Sequence, residues 1–339
     1  MQKAWTQEQP NNQIKSLEAK LKTQPENIKL RIYLAKKYFD SKEYKKCIDM
    51  LDPYSSDLKK SGLNMLALSF QKMNDLKNET RILKLIIAND PNDSPTLLRL
   101  ADNSKSQAEK LEGTQAKEKL SEAVEFYRKV IKTHSNVEKA YFGLLDIFKK
   151  QKNHYESQII VKDLIKRFGK KPSYVAELCR IYTEEAYLQE AIKSCKEAIM
   201  LDPKNPENHA NLAQSYIDKD DQKTAEQILK TATRRFKSSE RIYTMAGEFY
   251  LKQKNISVAH RYYSNAALID RNSMKAQLGM AQTSFELGKF EQSLMGFENA
   301  CKLNSKDTLK HFKEAVTKLR LEGNFRWERK FNSSLYRCM

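Results

Sequence analysis

Residues 174–203 read YVAELCRIYTEEAYLQEAIKSCKEAIMLDP, and their spacing decides the fold. Val175, Leu178, Cys179 and Tyr182 recur at helical intervals, and Ala191, Cys195 and Ala198 do so again after a short polar break. Adding 34 to each number returns His209, Leu212, Ala213, Tyr216, Ala225, Leu229 and Ala232. A second step gives Tyr243, Ala246, Gly247, Tyr250, Ala259, Tyr263 and Ala266, and a third includes Gln277, Met280, Ala281, Ser293, Phe297 and Ala300. Subtraction gives Tyr141, Leu144, Leu145, Phe148, Ser157, Val161 and Leu164. Five units, 138–171, 172–205, 206–239, 240–273 and 274–307, thus keep one register without insertion. A period of this length is one supersecondary unit that cannot bury its apolar face alone and is covered by its neighbour.

Small residues at the eighth and twentieth places (Ala213 with Ala225, Gly247 with Ala259, Ala281 with Ser293) let two antiparallel helices approach closely, while large residues fill the space around them. This pattern resembles the tetratricopeptide repeat, a 34-residue helix-turn-helix that often closes with Pro, as Asp202-Pro203 does. Asp220 and Lys254 stand where that family often has Gly in the turn, and Lys237, Arg271 and Ser305 replace the closing Pro. The resemblance implies an all-α, right-handed superhelix, an α-solenoid of antiparallel helical hairpins.

Outward from the regular region the pattern loosens. Residues 28–137 read as degenerate units: Leu34, Ala35, Tyr38, Cys47 and Leu51 in one, and Leu63, Leu66, Ala67, Phe70, Leu83 and Ile86 in the next. Pro53 is expected to cut a helix short. A third unit is longer, with about ten extra residues in a polar stretch, Asp102 to Lys119, expected to be a solvated hairpin tip. Residues 1–27, with Ile14, Leu17 and Leu21, read as a partial repeat. Residues 308–323 form a capping helix that ends at Gly323, and 324–339 a basic aromatic tail. From 308 onward eight Lys or Arg face three Asp or Glu.

Composition agrees with a helical array. Only 9 Gly and 8 Pro punctuate 339 residues, which disfavours a sheet-rich fold, and 16 Tyr with 14 Phe exclude a wholly disordered chain. The net charge of +18 favours acidic partners without choosing among them. Five cysteines with no CxxC pair argue against a disulfide framework or a zinc site and fit a reducing compartment. No apolar run is long enough to cross a membrane, and no secretory leader is evident.

No phosphate-cradling loop, HExxH or nucleophile elbow is found, and the five histidines fall on different repeat places, so no catalytic, metal or cofactor residue is assigned. In the family this chain resembles, the first helix of each unit lines a concave groove. Its places carry Phe142, Asp146 and Lys149 in the first regular unit, Glu177 and Arg180 in the second, and Asn211, Gln214 and Ile217 in the third. Arg241, Met245, Glu248 and Leu251 follow, then Leu278, Gln282 and Phe285. Capture of chaperone carboxylate tails is disfavoured: Asn211 matches one place, but Ala176, Arg180 and Met245 stand where other cations or amides are required.

Towards the C-terminal end the groove turns apolar through Met245, Leu251, Leu278 and Phe285, then Phe312, Val316 and Leu319. Such a patch calls for a cover. Trp327, Phe331 and Leu335 recur every four residues, and Trp327 with Phe331 is expected to dock there. The whole reads as a non-catalytic scaffold or adaptor that binds a peptide or helix of a partner protein. Its Lys- and Asn-rich sequence suggests a bacterial envelope, secretion or motility assembly, by analogy alone. An RNA-associated helical-repeat protein is the alternative, weakened by carboxylates mixed through the groove. The expected location is cytoplasmic, or periplasmic if a leader was removed.

Overall fold

The computed structural model describes residues 5–303 and 305–339, with side chains for 13–303 and 306–339. Residues 1–4 of the N-terminal partial repeat and Asn304 of the last regular repeat lie outside the described residues. Nineteen α-helices and no strand occur among the described residues, and the chain divides at Arg167 into two structural units.

The first unit, 1–167, holds α1 (Trp5–Thr23), α2 (Ile28–Asp40), α3 (Tyr44–Leu51), α4 (Lys60–Lys72), α5 (Leu76–Asn89), α6 (Ser94–Ala108), α7 (Gly113–Thr133), α8 (Glu138–Lys150) and the body of α9 (His154–Phe168). Neighbouring helices pack pairwise into hairpins and each hairpin stacks on the next. Pro53 ends α3 as its fixed φ and missing N–H require, and Asp52–Asp57 continue as a 3-10 turn. The core runs through Leu34, Leu51, Leu66, Ile82, Leu83 and Leu100, all fully buried.

The longer third hairpin, α6 with α7, corrects the expectation of a solvated stretch from Asp102 to Lys119. Asn103 is 4% and Ser104 0% exposed, while Glu109 to Gln115 face water. Glu79 of α5 is the reason: it lies buried, ion-paired to Arg99 at 2.9 Å, and accepts from Asn103 Nδ2 at 2.8 Å. Gln107 Nε2 then donates to Asn103 Oδ1 at 2.6 Å. Burial pushes the Glu79 carboxyl pKa up, against the pull of Arg99 and Asn103. Polar composition alone could not distinguish this network from solvent exposure, because Arg99 and Asn103 find the Glu79 carboxylate on a neighbouring helix.

The second unit, 168–339, holds α10 (Pro172–Glu184), α11 (Leu188–Leu201), α12 (Pro206–Asp218), α13 (Gln222–Arg235), α14 (Glu240–Lys252), α15 (Ile256–Ile269), α16 (Met274–Glu286), α17 (Phe290–Leu303), α18 (Ser305–Leu321) and α19 (Phe325–Cys338). It is an all-α solenoid of hairpins. Ala213, Ala225, Ala259 and Ala281 are fully buried where paired helices meet. From α12 to α16 the helix starts repeat as the cores do. Asn205, Ser239 and Ser273 cap α12, α14 and α16, and Asp221 and Asn255 cap α13 and α15, each side-chain oxygen accepting a first-turn N–H. Within the hairpins, Ala186, Asp220, Lys254 and Gly288 all take positive φ, between 54° and 70°. The next N–H reaches back to close the helix end, as Asp221 does to the Tyr216 carbonyl at 2.9 Å.

The expectation of no disulfide is also corrected. Cys179 and Cys195 are bonded with their Cα atoms 4.6 Å apart, Cys301 is bonded to Cys338, and Cys47 is free and buried. Sixteen residues separate the first pair in sequence, yet antiparallel pairing of α10 with α11 brings them face to face. The second pair fastens α19 to α17. Neither juxtaposition shows in local spacing. Among the described residues no helix is long and apolar enough to cross a membrane.

Candidate functional site

The residues that the sequence reading assigns to a groove fall, by their helical spacing, on one face of the first helix of each hairpin. In unit one that face carries Phe142, 44% exposed, and a set of ion pairs. Lys139 bonds Asp102 at 2.7 Å, Lys105 bonds Asp146 at 2.9 Å, and Lys150 bonds Glu109 at 2.8 Å. Partial burial would raise the Asp146 carboxyl pKa, but Lys105 and Lys150 outweigh it and hold it below the ordinary range. Lys149 is exposed on the same helix.

In unit two the pattern recurs. Arg180 lies between Glu177 and Glu184. Arg241 holds Glu207 and donates to the Asn211 amide oxygen at 2.8 Å, and Gln214 donates to Asp218 at 2.7 Å. Lys275 pairs with Glu248, and Lys318 bonds both oxygens of Glu286 at 2.9 Å. Charges on this face are therefore largely spent on one another, and what they frame is apolar. Exposed pairs of this kind contribute little stability each, about 0–1 kcal/mol. Ile217 is half-buried and Met245 8% exposed.

The face ends in a hollow of about 290 Å³ between α14, α16, α17 and α18. Leu251, Phe285, Phe297 and Ala315 make its apolar lining; Gln282, the Glu286–Lys318 pair, and His311 with Glu314 frame it. His311, Glu314 and Lys318 escaped the sequence reading, though α18 follows α16 at the same 34-residue step and its polar residues could have been projected onto the face.

α19 packs on the opposite side of Phe285. Phe331 is fully buried, its ring centroid 5.9 Å from Phe285, 5.8 Å from Phe312 and 6.2 Å from Phe297. Trp327 is half-buried against Phe290 at 5.6 Å, with Lys330 4.4 Å above its ring. Leu278, Val316 and Leu319 join the same cluster, whereas Leu251 lines the hollow. Among the described residues no group of three His, Cys, Asp or Glu is placed to hold a metal ion.

Residues 184–248 match the family model of the tetratricopeptide repeat. No curated protein matches it in sequence. Among solved structures it is similar to YrrB, described as a TPR protein with an unusual peptide-binding site, at 16% identity and TM-score 0.43 over 57% of this chain and 95% of that one. A thermophilic TPR protein of Thermus thermophilus, TTC0263, gives 14%, 0.44, 59% and 100%, and pilF of Pseudomonas aeruginosa 15%, 0.47, 59% and 90%.

Proposed function

We propose that this chain is a non-catalytic tetratricopeptide-repeat scaffold whose second unit binds an extended or helical segment of a partner protein along the first-helix face, with one apolar side chain seated in the Leu251–Phe285 hollow. The carrying observation is the division of labour on that face: its cations and carboxylates are paired with each other, and the concave feature they frame is apolar. A surface built so gains affinity by burying apolar area in a pocket ringed by polar groups. Phosphate-binding surfaces present unpaired cations instead and exclude carboxylates.

The test is affinity capture from the native cell with the intact chain and with Leu251→Glu, a half-buried lining residue whose replacement leaves the core in place. The expected result is a protein retained by the first, lost by the second, and only modestly weakened by salt. RNA released by nuclease, or a steep linear loss of binding with salt, would favour the nucleic-acid reading.

A further inference from the structure

The geometry points to a second binding site, on the α15–α17 edge and away from the first-helix face, that takes an acidic peptide segment presenting one aromatic or large aliphatic side chain. The site arises from a departure in the repeat. In the units that begin at 138, 206 and 240 the fourth place is a ring packed at the base of its hairpin, against the segment that precedes it or the second helix that follows it. Tyr141 donates its hydroxyl to the Ser135 carbonyl at 3.2 Å, and the His209 ring lies 4.9 Å from Phe236. Tyr243 donates to the Thr233 carbonyl at 3.0 Å and lies 6.1 Å from Tyr262. In the last regular unit Gln277 stands at that place. Its amide is held at the floor by the Arg271 carbonyl and Asn299, and an open hollow of about 560 Å³ is left where the ring would be.

The chemistry of the hollow selects its occupant. Ala267, Leu268, Met280, Met295 and Leu303 give apolar walls, with Leu268 73% and Met295 50% exposed. Two methionines suit an aromatic guest, since thioether sulfur packs favourably against rings. Ser264 in the wall has a buried hydroxyl without a hydrogen-bond partner. Arg271 and Lys302 stand exposed at the rim, with no ion-pair partner among the described residues, and no carboxylate lines the hollow. The contrast with the first-helix face, where cations are paired, is direct. One repeat earlier on the same edge, Arg234 and Lys237 are also exposed. A ring or branched chain flanked by carboxylates would fill the vacated place and meet the unspent cations.

The experiment uses the full chain and a fluorescein-labelled peptide, Asp-Glu-Asp-Trp-Asp-Glu-Asp, followed by fluorescence anisotropy at low and moderate salt. Saturable binding is expected, weakened by salt. Gln277→Tyr, which restores a ring at this place, should weaken it about tenfold while keeping or raising the thermal midpoint, so that a folding defect is not mistaken for loss of the site. Arg271→Glu with Lys302→Glu should weaken it comparably, and Leu251→Glu in the other hollow should leave it unchanged. Equal binding of the peptide with alanine for tryptophan, equal binding to Gln277→Tyr, or binding to anionic vesicles but not to the peptide would each overturn the proposal.

Discussion

The ring of Tyr127 on α7 lies against Gly143 on α8 so closely that a Cβ at the glycine would come within 2.2 Å of it. The same sixteen-residue separation sets Tyr263 of α15 against Gly279 of α16, where a Cβ would come within 2.4 Å. In both hairpin stacks a second-helix tyrosine thus occupies the space a side chain would need on the next first helix. Both glycines stand at the sixth place of their units, and what they provide there is room for a ring.

Gly279→Ala and Gly143→Ala are expected to cost about 1–3 kcal/mol each through overpacking, read as lower thermal and urea midpoints. Tyr263→Leu combined with Gly279→Ala should recover part of that loss. Additive losses in the double variant would show that the ring and the glycine do not share this space.

Non-glycine residues at positive φ carry strain that glycine relieves. Ala186 (φ 54°) and Lys254 (φ 59°) are the plain cases, with no side-chain amide or carboxylate to stabilise the left-handed conformation. Ala186→Gly or Lys254→Gly should raise stability by about 0.5–1 kcal/mol, after the entropy that glycine adds to the unfolded chain. A lower thermal midpoint would show the strain to be absent.

Acidification should weaken the second unit. Burial, with Lys289 beside it, depresses the His260 pKa despite a hydrogen bond to Gln292. Burial likewise depresses that of His209, with the Pro203 carbonyl opposing and Arg235 assisting. A lowered folded-state pKa means that the unfolded chain takes up its proton first, so stability is full above about pH 6.5 and is lost as the pH falls through the folded values. Denaturation at pH 7 and pH 5 checks this. His260→Gln should flatten the dependence, and an unchanged slope would assign it elsewhere.

Cys301 and Cys338 tie α19 to α17. Cys338→Ser should cost about 2–4 kcal/mol and speed amide exchange in α19. Protection of α10 to α13 should hardly change, because each hairpin contacts only its neighbours. Unaltered exchange in α19 would mean that Phe331 and Leu335 hold the helix unaided.

The helical hairpins were legible because a 34-residue step returns the same small and large residues, and the caps Asn205, Ser239 and Ser273 repeat with them. The groove residues were legible only as places on a helix. Nothing in their order shows that Arg241 is spent on Glu207 and Asn211, or Lys275 on Glu248, since each pair spans two hairpins. The first-helix face looked mixed in charge, and pairing is what turns it into an apolar hollow with a polar frame.

The sequence by itself determined which residues pair into hairpins, because helical periodicity, close-packing alanines and turn positions act over short distances and recur. Tertiary structure alone decided how residues far apart in the chain use one another. It closed Glu79, Arg99 and Asn103 into a buried network and brought Cys301 to Cys338. It also left the hollow beside Gln277 unfilled, because packing density at a point is set by side chains from three helices at once.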